Sequence, residues 1–213
     1  NDYVSLPNSI NMGTSDFTLS IWLKTDDVSS RQHVFQQTGS NDNRVIAINS
    51  GGSLTSRLGG SGSDQLSGVT LSTDTWYHIV LVHDNSENTL KWYVNGTEQN
   101  TNNSVNVQSN TGTFYLGTNS DADDKFFNGQ IDEVRIWNDV RTAAEIADNK
   151  DDELVGNESG LAAYYKMSDG TGTTLTDNSS NSNNGTLTNL SLINISETTR
   201  LLSIWYALNF LKK

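Results

Sequence analysis

Two loops rich in Asp and Asn offer the oxygen atoms that a hard cation such as Ca²⁺ requires. The first loop is residues 41–43 and the second is residues 119–124. Ca²⁺ takes about six to eight oxygen ligands, and each of these loops is a candidate source of them. The candidate ligands are Asp42, Asn43, Asn119, Asp121, Asp123 and Asp124. The alternative is that these residues populate exposed turns, where Asp and Asn are common.

Glycoside hydrolysis requires a different pattern, two carboxylates about 5–9.5 Å apart across the scissile bond. A strand presents such a pair when acidic residues alternate along it, as in Glu-x-Asp-x-x-Glu, and the sequence contains no such string. Glu133 and Glu158 have no carboxylate two residues away, and residues 151–153 are typical of a solvated loop. We therefore predict that the protein is not an enzyme of this kind.

The three histidines give no nucleophile motif. His78 and His83 are five residues apart in one predicted strand and should point to opposite faces, and His33 opens another strand beside Arg31. The Gly-x-Ser-x-Gly elbow is absent, and residues 59–62 lack the Lys of a phosphate-binding loop. A Ser–His–Asp triad assembled from distant residues remains open.

Aromatic side chains are the usual stacking partners of sugars. Most of the tryptophans should lie in the core, because Trp22, Trp76, Trp92 and Trp137 all fall in predicted strands. Residues 126–127, both Phe, adjoin the second acidic loop and are a weaker candidate for a ligand surface than for the core. The sequence assigns no ligand-binding aromatic residue.

Short runs of alternating residues, rich in aromatic and β-branched side chains, predict the strands that must position these groups. The runs are residues 17–23, 45–48, 76–82, 90–94, 114–116, 131–137 and 161–166. A polar turn at 84–88 predicts a hairpin, and Asn95-Gly96 marks another turn. Many short strands with little helical periodicity predict an all-β protein, an antiparallel β-sandwich.

One short helix is predicted over residues 142–149, because Thr142 and Glu145 form a capping box. Residues 177–184, almost pure Asn and Ser, predict a loop. Residues 190–195 suggest a closing strand. Apolar residues at helical spacing over 199–213, ending in two lysines, predict a C-terminal helix.

We accordingly divide the chain into a domain over 1–195 and an amphipathic segment over 196–213. The segment is too short to span a bilayer. Three interpretations of this segment are open: it packs on the sandwich or on a partner chain, it lies on a membrane surface, or it is foreign to the domain.

Composition limits the partners. The 13 basic and 25 acidic residues give a formal net charge of −12, which repels nucleic acid and anionic membranes. We expect neither as a partner, except for membrane contact through residues 196–213. The absence of Cys excludes disulfides, thiolate nucleophiles and Cys-ligated metals. Because the sequence begins at Asn1 without a signal-like stretch, we expect a processed piece of a larger multidomain protein.

Four motifs then point to a family: Trp-Tyr-His-Ile-Val at 76–80, Trp-Tyr-Val-Asn-Gly at 92–96, Tyr-Leu-Gly at 115–117 and Asn-Gly-Gln-Ile-Asp-Glu-Val-Arg-Ile-Trp-Asn at 128–138. In order and spacing they resemble the laminin-G-like, concanavalin A-type jelly roll, which is related to the pentraxins. Residues 2–4, 141–146 and 161–177 resemble further motifs, so the resemblance covers residues 1 to about 189. It implies two antiparallel sheets and roles in glycan binding, adhesion or protein–protein contact.

The resemblance also implies where calcium would bind. Pentraxins use an Asp-Asn pair between two early strands, which Asp42 and Asn43 match, and an acidic loop after a Leu-Gly strand end. Asn119 and Asp121 fall on that second loop, although Asn119 stands where pentraxins carry a carboxylate. Related modules also imply Asp132 as a ligand, and the alternative is that its side chain caps neighbouring amides.

These observations predict a non-catalytic, calcium-dependent module for carbohydrate binding or adhesion. We expect it to be secreted or on the cell surface of a bacterium, with a glycan or cell-surface polysaccharide as ligand. The alternatives are a polysaccharide hydrolase or lyase of the same fold with a dispersed site, and a protein–protein assembly module that makes contact through its C-terminal segment.

Overall fold

The computed structural model describes residues 2–10, 12, 15–38, 44–58, 64–105, 107, 112–119, 125–169 and 172–189. These residues form fourteen β-strands and one short helix. The strands are β1 (Tyr3–Leu6), β2 (Phe17–Thr25), β3 (Gln32–Gln37), β4 (Arg44–Ile48), β5 (Ser53–Leu58), β6 (Gln65–Thr70), β7 (Trp76–Asp84), β8 (Thr89–Val94), β9 (Thr97–Asn103), β10 (Phe114–Leu116), β11 (Gly129–Trp137), β12 (Leu161–Tyr165), β13 (Thr174–Leu175) and β14 (Gly185–Thr188). The helix α1 is Ala143–Asn149.

The strands pair antiparallel in two sheets, so the predicted β-sandwich of the jelly-roll type is confirmed. One sheet has the order β13-β14-β1-β10-β3-β4-β5-β6, and the other has the order β12-β11-β2-β7-β8-β9. Every predicted strand in the described residues is present. Strands β5, β6, β9, β13 and β14 were not predicted, and β9 is mostly polar, with no alternation to mark it. The predicted strand at 190–195 and the C-terminal helix lie outside the described residues.

The inner faces of both sheets form the main core. Its largest fully buried side chains come from both sheets and include Trp92, Tyr165, Phe17, Phe35 and Phe114. Burying one such side chain contributes about 1.5–3 kcal/mol, and this burial decides which face of each strand points inward. The remaining polar residues must then lie on the outer faces of the two sheets.

Helix α1 covers part of the outer face of the six-stranded sheet. Thr142 caps the helix, with its hydroxyl accepting from the Glu145 backbone N–H at 3.3 Å, and the Glu145 carboxylate accepts from the Thr142 N–H at 2.8 Å. The predicted capping box and helix are therefore confirmed. Ile146 packs on Val80, Val82 and Tyr93 in a small second core. No helix of the described residues covers the outer face of the eight-stranded sheet.

The Asn- and Ser-rich loop between β13 and β14 closes the free edge of β12. The carboxylate of Asp177 accepts from the Tyr164 backbone N–H at 2.9 Å, and the Asn178 N–H donates to the Tyr164 carbonyl at 2.7 Å. The side-chain amide of Asn181 donates to the Leu161 carbonyl at 2.8 Å. Edge strands otherwise leave backbone groups open to pairing with other chains. The predicted loop at 177–184 therefore protects this edge.

Candidate functional site

A row of mainly polar side chains crosses the outer face of the eight-stranded sheet. The strand registers place one residue from each of seven strands at the same level: Thr174, Thr186, Ser5, Tyr115, Gln36, Val45 and Arg57. Neighbours of these residues along the strands, such as Phe114 and Leu116, belong to the core. Because side chains alternate along a strand, the row lies on the outer side of the sheet, although Gln36 and Val45 are buried there. We name these seven residues the outer row.

Two tyrosines form a half-buried aromatic platform at the centre of this face. The ring centroids of Tyr3 and Tyr115 are 5.9 Å apart, and the ring planes are tilted by 58°. Tyr115 lies directly across from Gln36 in the register of β10 and β3. The half-buried aromatic faces can stack on the apolar face of a sugar, whereas Gln36 beside them is only 1% exposed.

A buried histidine holds the Gln36 amide in place. The Nδ1 atom of His33 lies 2.7 Å from Oε1 of Gln36, and Nε of Arg31 donates to Nε2 of His33 at 3.3 Å. These partners match a neutral imidazole that donates from Nδ1 and accepts at Nε2. Burial lowers the pKa of His33 to about 4; the hydrogen bond to Gln36 opposes this shift, and the charge of Arg31 adds to it. The imidazole is therefore neutral at pH 7.

One carboxylate joins two arginines at the end of the outer row. Oδ2 of Asp64 accepts from Nη1 of Arg31 at 2.6 Å, and Oδ1 accepts from Nη2 and Nε of Arg57 at 2.9 and 3.2 Å. Nη1 of Arg31 also donates to Oδ1 of Asn49 at 2.6 Å. Burial raises the pKa of Asp64, but the hydrogen bonds and charges of Arg31 and Arg57 outweigh burial and lower it overall. Asp64 therefore stays ionised at neutral pH.

Of the six predicted metal ligands, the structure describes Asn119. It lies two residues after Gly117, which has a left-handed φ of 83° directly after β10, and it is buried beside Thr118. The Thr118 hydroxyl donates to Oδ1 of Asn119 at 3.4 Å. The other five candidate ligands, Asp42, Asn43, Asp121, Asp123 and Asp124, lie outside the described residues.

Strand register constrains how the two predicted calcium loops relate. Gln37 pairs with both Phe114 and Arg44, so the connection that contains residues 41–43 starts and ends at one end of β3. Gly117 donates to the carbonyl of Val34, so the chain leads toward residues 119–124 at the other end. Within the described ranges no group of three or more His, Asp or Glu side chains is arranged to hold a metal ion.

Three acidic residues that the sequence offered as catalytic or metal-binding candidates make hydrogen bonds or ion pairs within the fold. Glu133 forms a buried ion pair with Arg135 at 2.8 Å and accepts from the Tyr164 hydroxyl at 2.7 Å. Asp132 accepts from the Glu133 backbone N–H at 3.0 Å, as in the capping alternative. The Glu158 carboxylate accepts from the backbone N–H groups of two residues in the preceding turn, at 2.7 and 2.9 Å.

A serine and a histidine do meet, on the other sheet. The Ser20 hydroxyl lies 2.8 Å from Nε2 of His78, as in a nucleophile–base pair. Nδ1 of His78 is buried with no hydrogen-bond partner among the described residues, so no carboxylate orients the ring. Burial, with the charges of Arg135 and Lys150, lowers the pKa of His78 to about 3. The adjoining cavity of about 20 Å³ has room for about one water molecule and not for a sugar.

The two other histidine expectations are met in the described structure. His83 pairs with Phe17 and lies on the core side of β7, opposite to His78, and the Nδ1 atom of His83 is 3.0 Å from the Ser15 carbonyl. His33 lies in β3, directly after Arg31 and Gln32. His33 and His78 therefore form no triad with the residues that the structure describes.

The aromatic candidates differ in how deeply they are buried. Trp92 and Trp137 are buried, whereas Trp22 and Trp76 are half-buried on the face that carries α1. Phe127 packs on the main core. The sequence reasoning missed Tyr3 and Tyr115, although Tyr115 stands between two core residues and its outward direction could have been inferred from strand alternation.

The two antiparallel sheets of the sandwich define a domain of the concanavalin A-like class. The sequence profile of Laminin_G_3, described as the concanavalin A-like lectin/glucanases superfamily, matches residues 1–147. The chain belongs to this family. The match ends within α1, so β12, β13 and β14 lie beyond it. Comparison with curated proteins gave no match.

Solved structures share the fold. A candidate carbohydrate-binding protein from Bacteroides ovatus has a TM-score of 0.71 and 23% identity over 90% of this chain and 57% of that one. A heptameric SAP-like pentraxin from Limulus polyphemus has a TM-score of 0.53 and 17% identity over 68% of this chain and 74% of that one.

A third solved structure is part of a glycoside hydrolase. Domain 4 of the extracellular arabinanase AbnA from Geobacillus stearothermophilus, in complex with arabinotriose, has a TM-score of 0.53 and 24% identity over 68% of this chain and 70% of that one. At these identities the likeness shows the fold alone. The chain spans somewhat more than half the length of the Bacteroides ovatus protein. No helix of the described residues is long and apolar enough to cross a bilayer.

Proposed function

We propose that this domain is a non-catalytic carbohydrate-binding module and that its ligand lies on the outer face of the eight-stranded sheet. The observation that carries the proposal is the half-buried Tyr3–Tyr115 platform, with Ser5, Thr186 and Thr174 of the outer row beside it as hydroxyl groups that solvent reaches. Two similar structures, a candidate carbohydrate-binding protein and an arabinanase domain in complex with arabinotriose, support the same class of ligand. A module that binds polysaccharide would act outside the cell or at its surface.

A glycan array followed by calorimetry on the best ligand tests the proposal. Tyr115→Ala removes the stacking ring, so we expect the affinity to fall by roughly 2 kcal/mol, or about thirtyfold. Tyr115→Phe is the matched control, because it keeps the ring and removes only the hydroxyl. If no glycan binds, or if Tyr115→Ala binds as well as the wild type, this placement of the site is wrong.

We further propose that calcium contributes, with Asp42, Asn43, Asn119 and the acidic residues of 121–124 as ligands. Oxygen-rich side chains of this kind are the ligands that Ca²⁺ prefers.

Thermal melts with Ca²⁺ and with chelator test this part of the proposal. At a Ca²⁺ concentration 100 times the dissociation constant, binding to the native state adds about 2.7 kcal/mol, which raises Tm by roughly 5–10 °C. Asp121→Ala should abolish the shift. Glu87→Gln, which removes one charge in an exposed hairpin turn, should keep it. An unchanged midpoint in wild-type protein would reject calcium binding and leave the glycan site in place.

The same preparations discriminate the alternative functions. Release of reducing ends or of unsaturated products from a polysaccharide panel would identify a hydrolase or lyase instead. A molecular mass in solution that falls when the chain is truncated after Ile195 would identify an assembly module.

A further inference from the structure

We propose that this domain has a second saccharide-binding site, formed by five side chains on the outer face of the six-stranded sheet. We name it the tryptophan patch, and its residues are Gln130, Lys24, Trp22, Trp76 and Asp132. It lies at the C-terminal end of α1, on the sheet opposite to the Tyr3–Tyr115 platform. Two sites on opposite sheets make the module bivalent, which goes beyond the proposed function.

Strand register makes the members of the patch direct neighbours. Gln130 in β11 pairs with Lys24 in β2, and Lys24 pairs with Trp76 in β7. Asp132 pairs with Trp22 two residues further along the same pair of strands. The residues between them along β2 and β7 contribute to the main core. Because side chains alternate along a strand, the five side chains of the patch lie together on the outer side of the sheet.

Open surface runs through the whole patch. Gln130 is exposed and the other four side chains are half-buried, so no member is closed off from solvent. Gln130 and Trp76 are two strand spacings apart, about 10 Å, and the residue between them is the half-buried Lys24. Trp22 and Trp76 are diagonal neighbours on adjacent strands, about 7–8 Å apart at the backbone. One ligand can therefore touch the amide and both indoles.

Three hydrogen-bond donors of the patch are unused. The Gln130 amide, the Lys24 ammonium and the indole N–H of Trp76 have no hydrogen-bond partner in the described part of the chain. Hydroxyl and ring oxygens of a sugar accept hydrogen bonds from donors of this kind, and the apolar face of a sugar ring stacks on an indole. A saccharide offers both kinds of contact, so it is the class of ligand that the patch suits.

Two members of the patch are held in place by the fold itself. Nε1 of Trp22 donates to the carbonyl of Lys150 at 2.8 Å, and the ring centroid of Trp22 lies 5.3 Å from that of His78. The Asp132 carboxylate accepts from the Glu133 backbone N–H at 3.0 Å. These side chains have little conformational freedom left to lose when a ligand binds, which favours affinity.

The glycan array, followed by calorimetry on the best ligands, tests the patch with the full chain and three variants: Trp76→Ala, Gln130→Ala and Tyr115→Ala. Gln99→Ala is the matched control, because Gln99 is an exposed glutamine in β9, at the edge of the same sheet. Melting curves check that each variant is folded. Gln130→Ala carries the test if Trp76→Ala does not fold, because Gln130 lies on the surface.

We expect glycan binding that survives Tyr115→Ala and is weakened about tenfold or more by Trp76→Ala. Gln130→Ala removes one donor and should weaken the same binding about threefold to tenfold, whereas Gln99→Ala should leave it unchanged. Loss of all binding in Trp76→Ala and of none in Tyr115→Ala would support the patch and reject the site at the tyrosine platform.

Three outcomes would overturn the inference. If glycans bind and neither Trp76→Ala nor Gln130→Ala weakens any of them, the patch is not a saccharide site, and the proposed function is unaffected. If the molecular mass in solution falls in Trp76→Ala while glycan binding is unchanged, the patch is a contact between chains instead. If no glycan binds the wild type, this inference and the proposed function are both wrong.

Discussion

Asp177 offers the sharpest test of how the polar loop stabilises the sandwich. Its carboxylate is only 7% exposed and accepts four hydrogen bonds. The donors are the backbone N–H of Tyr164 at 2.9 Å, the backbone N–H and the hydroxyl of Ser179 at 2.9 and 2.8 Å, and the backbone N–H of Asn183 at 2.7 Å. Asp177→Ala removes the acceptor from all of these donors at once.

The expected loss in the free energy of unfolding comes from the two backbone donors that water reaches poorly. Tyr164 is fully buried and Asn183 is half-buried, so both backbone N–H groups would lose their partner. Each buried donor left without a partner costs about 1–3 kcal/mol. We therefore expect Asp177→Ala to lower the free energy of unfolding by about 4 kcal/mol, which is a large part of the roughly 5–15 kcal/mol of a typical domain.

Urea denaturation followed by tryptophan fluorescence measures this change. Amide hydrogen exchange at Tyr164 reports on the edge of β12 itself and should become faster in the variant. Thr176→Ala is the matched control: the residue is exposed, adjoins Asp177 and should change stability by no more than about 0.5 kcal/mol. If Asp177→Ala costs less than about 1 kcal/mol and leaves exchange at Tyr164 unchanged, the loop does not protect this edge.

Three further predictions use other buried or capped groups. Burial lowers the pKa of His33 to about 4 and of His78 to about 3, whereas both protonate near 6.5 when unfolded. The stability that comes from keeping these histidines neutral is therefore complete above pH 6.5 and decreases as the pH falls. At pH 5 we expect each histidine to lower the free energy of unfolding by about 2 kcal/mol, and urea titrations at pH 7 and pH 5 will measure this loss. Glu133→Ala leaves the buried Arg135 without its ion-pair partner and should cost about 3–5 kcal/mol in the same assay; a loss below about 1 kcal/mol would show that Arg135 finds other partners. Thr142→Ala removes the cap of α1 and should cost only about 1 kcal/mol, seen as a small drop in Tm; a loss as large as that of Glu133→Ala would contradict a purely local role.

The elements that could be predicted share a local signal. Strand β2 alternates apolar and polar residues over a few positions, β7 is a run rich in aromatic and β-branched residues, and the capping box of α1 lies within four residues. β9 shows the limit of this reasoning. It is almost wholly polar and forms only because β8 offers its edge, to which β9 pairs along its whole length. Tertiary pairing of this kind has no trace in the local pattern.

The candidate site likewise has one part that the sequence suggested and one part that only the structure shows. Side-chain chemistry alone pointed to the oxygen-rich loops, and their role as calcium ligands stays a prediction. The outer row could not be predicted, because each strand contributes one residue and the registers that align them depend on contacts between distant segments.

Sequence by itself determined the all-β class, the family resemblance and the short helix, since these depend on the order of nearby residues. Only the tertiary structure decided that Tyr3 meets Tyr115 and that Arg31 and Arg57 share Asp64. The physical reason is burial: the core takes one face of each strand, and whatever remains on the other face is brought together by the pairing of strands.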